Sequence, residues 1–143
     1  MHKNLVGGVL VLGLTGCGGG GGDSKEDFIA KADKICTAQA KQLDGTEPQT
    51  MQALEQTANR NAPILDDTIK KLDKLEPPEE LKAEFDKFLV NTRLRATLTK
   101  QAGDAAAEQN LQKLQEIAAT SSKGRTDGQQ LAKDVGFKSC GQG

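Results

Sequence analysis

Residues 51–78, MQALEQTANRNAPILDDTIKKLDKLEPP, decide the fold class of this chain. Apolar residues recur there in steps of three and four, which is the spacing of one face of an α-helix. Pro63 is expected to kink this second helix or split it near residue 62, and Pro77-Pro78 ends it. Thr46–Gln49 has the T-x-x-Q capping pattern and is predicted to begin it. The apolar positions are Met51, Leu54, Ala58, Ala62, Leu65, Ile69, Leu72 and Leu75.

The preceding segment predicts a first helix over residues 25–44. Ser24 and Asp27 form an approximate capping box, and Gly45 is expected to end the helix. Its apolar stripe has helical spacing and consists of Phe28, Ala32, Ile35, Cys36, Ala40 and Leu43.

The following segment predicts a third helix that begins at Pro78, a residue suited to the first helical position. Gly103 is expected to close this helix, and Asp104 is expected to cap the next one. The predicted buried side carries Leu81, Phe85, Phe88, Leu89, Thr92, Ala96 and Thr99.

A fourth helix is predicted after the Asp104 cap. The residues from Ser121 to Gly128 are polar and include two glycines, which suggests a loop or a weakened turn. The T-x-x-Q pattern of Thr126–Gln129 then predicts a short last helix. Gly136 is placed for a left-handed C-terminal cap, with Phe137 folding back onto the helix at Leu131 or Ala132. The stripe expected for the fourth helix is Ala107, Leu111, Leu114, Ala118 and Ser121.

These elements predict an all-α domain over residues 25–140, followed by a disordered tail at residues 141–143. Four amphipathic helices with short links favour an up-down-up-down four-helix bundle, here with a short extra C-terminal helix. With 143 residues, the chain is long enough for one such domain.

The first 17 residues have the organisation of an export signal. Residues 5–14 are an apolar run that is too short to span a bilayer. Leu14-Thr15-Gly16-Cys17 follows and resembles the lipobox of bacterial lipoproteins. The resemblance implies a signal peptide over residues 1–16, cleavage before Cys17 and attachment of a diacylglyceryl group to the Cys17 sulfur. An ordinary secretory signal with an incidental cysteine is the alternative.

Residues 17–24 are predicted to be the lipidated cysteine and a flexible glycine-rich tether. Gly18–Gly22 is an uninterrupted glycine run, and glycine loses the most backbone entropy on ordering. A phosphate-binding loop is disfavoured because the preceding strand and the following Lys-Ser/Thr are missing.

Three cysteines occur in the chain, and assigning Cys17 to lipid leaves Cys36 and Cys140. An even remainder in an exported domain predicts a Cys36–Cys140 disulfide that attaches the C-terminal tail to the first helix. Two separate thiols, with Cys36 buried on its stripe, are the alternative.

The mature domain resembles a group of small helical lipoproteins and secreted proteins from actinobacteria and related lineages. The similarity lies in Ala32–Cys36 (ADKIC), Leu72–Pro78 (LDKLEPP) and Gly136–Cys140 (GFKSC), in that order after the lipobox. This resemblance implies a disulfide-linked helical bundle and brings no assigned activity.

The composition argues against catalysis, metal binding and nucleic-acid binding. The one histidine is His2, within the leader, so the mature chain lacks the commonest general base and metal ligand. The formal net charge is −1 and Trp and Tyr are absent, which disfavours nucleic acid as a partner. We therefore expect no enzyme activity, catalytic residue, cofactor or metal.

The sequence thus predicts a non-enzymatic lipoprotein, anchored through Cys17 to the extracytoplasmic face of a bacterial cell membrane. Its helical surface is expected to bind another, unidentified protein of the cell envelope. The alternative is a small-molecule or lipid-binding module with a cavity between its helices, which the break expected at Pro63 could open.

Overall fold

The structure is a computed structural model that describes residues 23–43 and 45–142. Across these residues the chain is all-α and forms an up-down-up-down bundle, as predicted. The predicted signal peptide, Cys17 and the glycine run lie outside the described residues. None of the described helices is both long and apolar enough to cross a membrane. The helices are α1 (Lys25–Gln42), α2 (Met51–Leu72), α3 (Glu79–Ala107) and α4 (Leu111–Val135).

The side chain of Ser24 fixes where α1 begins. Its Oγ accepts a hydrogen bond from the Asp27 amide and donates one to the Asp27 carboxylate. The Ser24 half of the predicted capping box is therefore present, whereas Asp27 accepts from the Ser24 hydroxyl and not from its backbone amide. The acidic side chain lies at the positive end of the helix. The helix ends at Gln42, close to the predicted boundary.

The second helix begins later than predicted and continues through its proline. Its cap is Thr50, whose Oγ1 accepts a hydrogen bond from the Ala53 amide at 3.1 Å. The predicted cap at Thr46 is wrong, because the residues between Thr46 and Thr50 are not helical. Pro63 lies inside α2 at an exposed position, and the helix continues beyond it to Leu72 without a split.

Gly103 does not end α3, contrary to prediction. It is buried against α2, where an added Cβ would lie 2.8 Å from the Cβ of Ala58. The absence of a side chain therefore serves helix packing, and α3 continues to Ala107. Asp104 lies within α3, and the cap of α4 is Asn110, whose side chain accepts from the backbone of the first turn.

The fourth helix is continuous over Leu111–Val135. The predicted loop at residues 121–128 and the separate short helix after it are both wrong. Gly124 and Gly128 are buried in the helix and face α3. An added Cβ on Gly128 would lie 2.6 Å from Oδ1 of Asn91. Tertiary packing has therefore overridden the low helix propensity of glycine.

The buried face of α4 differs from the predicted stripe for the same reason. Leu111 is 63% exposed, and Ala118 is also exposed. The predicted stripe was chosen from the positions of leucine and alanine. The face of α4 that packs against α3 instead contains Gly124 and Gly128. The buried residues are Ile117, Gly124, Gly128, Ala132 and Val135.

The C-terminal end of α4 agrees with prediction. Gly136 has a φ of 97°, the left-handed conformation that glycine adopts without a Cβ penalty. The Phe137 amide donates to the carbonyl of Ala132 at 2.9 Å, and the Phe137 ring is buried. The chain therefore turns back toward α1.

One end of the bundle is packed around aromatic rings. Phe28 and Phe85 meet edge to face with centroids 4.9 Å apart, and Phe88 meets Phe137 at 5.2 Å. Such pairs add about 0.5–1.5 kcal/mol to the free energy gained by burial. A smaller cluster lies toward the C-terminal end of α3 and the N-terminal end of α4, and it contains Leu98, Ala105 and Ile117.

Candidate ligand-binding cleft

The lengths of α1 and α3 differ, and this difference leaves one side of the bundle less covered. The two helices have 18 and 29 residues, which correspond to about 27 Å and about 43 Å at 1.5 Å per residue. In addition, α1 lies closer to α2 than to α4. Beside the C-terminal half of α1 there is a cleft of about 380 Å³.

All four helices and the C-terminal tail contribute to the walls of this cleft. Much of the lining is apolar, and it includes Leu54 and Leu65 of α2 and Phe88 and Leu98 of α3. Ala40 of α1 lies at its edge, on the same stripe as the buried Cys36. The cleft thus offers an aliphatic and aromatic surface to a bound molecule.

The charged side chains that line the cleft, among the residues that the structure describes, are Arg95 of α3 and Arg125 of α4. Burial lowers the pKa of Arg95 below its usual value, and the positive charge of Arg125 lowers it further. Ser121, one turn before Arg125, adds a hydroxyl group to this side of the cleft. The site therefore combines an apolar wall with a concentration of positive charge.

The glycines of α4 determine how Arg95 lies. An added Cβ on Gly124 would be 3.7 Å from Cγ of Arg95, and one on Gly128 would be 3.7 Å from Nη1. The arginine side chain therefore lies across the glycine face of α4. Because that face carries no side chains, the guanidinium can stay partly buried beside Arg125.

Asn91 lies one helical turn before Arg95 and is 8% exposed. Its Oδ1 is a buried side-chain acceptor without a hydrogen-bond partner in the described part of the chain. An unsatisfied buried acceptor costs about 1–3 kcal/mol. The unsatisfied acceptor lies in the contact between α3 and α4, where Asn91 faces Gly128.

The C-terminal tail is attached to α1 by two devices. Cys36 and Cys140 form a disulfide with a Cα–Cα distance of 5.1 Å, which supports the predicted pairing. The Asp33 carboxylate accepts hydrogen bonds from the backbone amides of Lys138, Ser139 and Cys140, the shortest being 2.7 Å from Ser139. Charge-assisted bonds of this kind are stronger than neutral ones.

This attachment brings the tail to the cleft. Ser139, Gly141 and Gln142 all belong to its lining. Gly141 has a φ of 79°, and an added Cβ would lie 2.7 Å from that of Ala132. The sequence predicted a disordered tail from residue 141, whereas residues 141 and 142 are placed against α4 and the cleft.

Cys36 and Cys140 are the predicted site residues that the structure describes, and it brings them together. Cys17 lies outside the described residues. Arg95, Arg125 and the role of Asp33 were not predicted from the sequence. Helical spacing would have indicated Arg95. It lies three residues after Thr92 and four before Thr99, on the predicted buried side of α3.

The described residues contain no group of three or more His, Cys, Asp or Glu side chains placed to hold a metal ion. Comparisons with protein-family models, curated proteins and solved structures give no match.

Proposed function

We propose that this chain is a lipid-anchored protein of the bacterial cell envelope whose helical domain binds a small ligand in the cleft. The observation that carries the proposal is the cleft of about 380 Å³ beside α1. Small-molecule sites occupy about 300–1,000 Å³ and combine apolar walls with a few polar groups. The lining by Leu54, Leu65, Arg95 and Arg125 has this composition.

The proposed anchor is supported by the lipobox-like Leu14–Cys17 and by the glycine run after it. Two or three acyl chains are sufficient for stable attachment to a membrane, whereas one chain binds only weakly. Replacing Cys17 by Ser is expected to release or mislocalise the protein and to leave the bundle folded. Cell fractionation checks the release, and retention of processed Cys17→Ser protein in the membrane fraction would contradict it.

Binding of an envelope protein through the helical surface remains a prediction with less support. The large exposed hydrophobic side chains of the described residues are Val90, Leu94 and Leu111. Val90 and Leu94 share one face of α3, but two exposed side chains form a small patch, and scattered ones are normal. The cleft is the more distinctive feature.

A matched pair of substitutions on α1 tests the cleft. Ala40 lines it, whereas Ala38 is exposed and lies elsewhere on the same helix. Ala40→Phe is expected to fill part of the cleft and reduce binding of the uncharged dye Nile red about tenfold, because it removes apolar contact area. Ala38→Phe adds the same side chain outside the cleft and is expected to leave binding unchanged.

Nile red fluorescence is titrated with the full chain carrying Cys17→Ser in every variant, so that the apolar leader contributes equally to each measurement. Circular dichroism shows whether each variant keeps its helices. Equal dye affinity for the Ala40→Phe and Ala38→Phe chains, both folded, would reject the cleft as a binding site.

A further inference from the structure

The two charged side chains described in the cleft have the same sign. Arg95 and Arg125 approach from different helices, and the charge of Arg125 acts on Arg95. Arg95 is partly buried and Arg125 is exposed. The two cations repel one another, and burial and the neighbouring charge both oppose the charged form of Arg95. An anion bound between them would reduce this repulsion and would itself gain two charged partners.

The chemistry of the guanidinium group limits which anions are expected to bind at the two arginines. Its planar donors match the oxygens of a carboxylate or a phosphate, often through two parallel hydrogen bonds. Arg95 already interacts within the protein, so a bound head group would add a further partner to this guanidinium group. The Ser121 hydroxyl, one turn from Arg125, provides a further polar group on the same side of the cleft.

The rest of the cleft is suited to a different part of the ligand. Leu54, Leu65 and Leu98 present aliphatic surface along α2 and α3. A bare inorganic anion would leave this surface uncovered, whereas a purely apolar molecule would make no hydrogen bond to either guanidinium group. A ligand with both characters satisfies the whole lining.

We propose that the cleft binds an anionic amphiphile, with a carboxylate or phosphate head group at Arg95 and Arg125 and an apolar chain along the leucine wall. This inference rests on the proposed ligand-binding function and specifies its ligand class. It assigns Arg95 and Arg125 as determinants of head-group charge and Leu54, Leu65 and Leu98 as contacts for the chain.

A series of twelve-carbon probes tests the head group while the chain stays constant. Laurate, dodecyl phosphate, dodecanol and dodecylammonium are each titrated, below their micelle concentrations, as competitors of Nile red on the full chain carrying Cys17→Ser. The two anions are expected to compete about tenfold or more better than dodecanol, because charged hydrogen bonds are stronger than neutral ones. Dodecylammonium is expected to compete least. Inorganic phosphate is included to separate a lipid head group from free phosphate, and it is expected not to compete.

Three substitutions connect the preference to the arginines. Arg95→Gln and Arg125→Gln are each expected to weaken laurate about tenfold or more relative to dodecanol measured on the same variant, since each removes one charged partner of the head group. Arg93→Gln is the matched control because it removes an arginine from the same helix outside the cleft. Its exposed pairing with Asp73 contributes little to stability.

The outcomes separate this inference from the proposed function. If dodecanol competes as well as laurate, or if the Arg95→Gln and Arg125→Gln chains bind laurate like wild type, the anionic head group is wrong and the cleft remains a binding site. If inorganic phosphate competes as well as dodecyl phosphate, the chain contacts are wrong. Failure of Nile red itself to depend on residue 40 would reject the proposed function.

Discussion

The aromatic end of the bundle and the cleft are built from the same helices, yet one is filled and the other is open. At the aromatic end, Phe28 of α1 packs against Phe85 of α3 and is fully buried. Beside the cleft, the stripe of α1 presents Ala40, which is exposed. The difference shows that the size of the residue on α1, together with the short length of that helix, decides where the interior is closed.

The C-terminal tail connects these two regions. Phe137 belongs to the aromatic end, and Ser139 and Gln142 belong to the cleft. Between them, Cys140 is bonded to Cys36. A change that releases the tail should therefore affect both the stability of the filled end and the shape of the open one.

Removing the disulfide is expected to have the largest effect on stability. The bond closes a separation of 104 residues along the chain, and loop-closure entropy predicts a loss of about 4–5 kcal/mol for a loop of this length. Denaturant unfolding of the Cys36→Ser/Cys140→Ser chain measures it. Nile red binding should also weaken, because the tail no longer holds Ser139 and Gln142 at the cleft.

The single variant Cys17→Ser is the control, since it removes a cysteine without touching the bond. Its intact mass should increase by about two units on reduction, as expected for one disulfide. Unchanged unfolding of the double variant, or no mass change in the control, would show that the bond does not form in the protein.

Two leucine truncations compare the regions directly. Leu81 is 5% exposed in the aromatic end, and Leu54 is half-buried on the cleft. Leu81→Ala should cost about 3 kcal/mol of unfolding free energy, because it leaves a new cavity in a filled core. Leu54→Ala should cost about 1 kcal/mol, because only the partial burial of its side chain is lost.

Chemical denaturation of both variants, with the wild type, provides the comparison. Because each change removes the same atoms, any difference between the two losses of unfolding free energy reflects how tightly each leucine is packed. Equal losses for Leu81→Ala and Leu54→Ala would mean that the cleft is packed as tightly as the aromatic end.

Much of the fold could be predicted from the sequence because helical spacing is a local property. The buried stripe of α1 through Phe28, Ala32 and Cys36 and the turn at Gly136 both follow from spacing and cap chemistry. The errors concentrate at glycine. Gly103 and Gly128 were interpreted as breaks, whereas each lies against a side chain of a neighbouring helix that leaves little room for a Cβ, Ala58 of α2 and Asn91 of α3.

The cleft could not be predicted for a related reason. It results from the relative lengths and positions of α1 and α4, which depend on contacts between residues distant in sequence. The predicted stripe of α3 contained Thr92 and Thr99, which line the cleft. Spacing alone does not show that the shorter α1 leaves this part of α3 uncovered. Arg125 lay in the segment that was expected to be a loop.

The glycines of α4 give smaller expected effects than the disulfide and provide the sharpest internal control. Gly128→Ala should lower the unfolding free energy by about 1–3 kcal/mol, because its Cβ overpacks the contact between α3 and α4. The added atom would lie 2.6 Å from Oδ1 of Asn91. Displacing the buried Asn91 side chain, one helical turn from Arg95, should also disturb Arg95 and weaken laurate binding. The competition between laurate and Nile red measures this loss.

Gly124→Ala provides the matched substitution on the same face of the same helix. Its Cβ would meet Cγ of Arg95 at 3.7 Å, an ordinary contact. The better helix propensity of alanine should then raise stability by about 0.5–1 kcal/mol. A loss of unfolding free energy for Gly128→Ala with a gain for Gly124→Ala would place the tight contact between α3 and α4 at Gly128. A gain for both variants would mean that the helices are farther apart there and that Arg95 is not held by the glycine face.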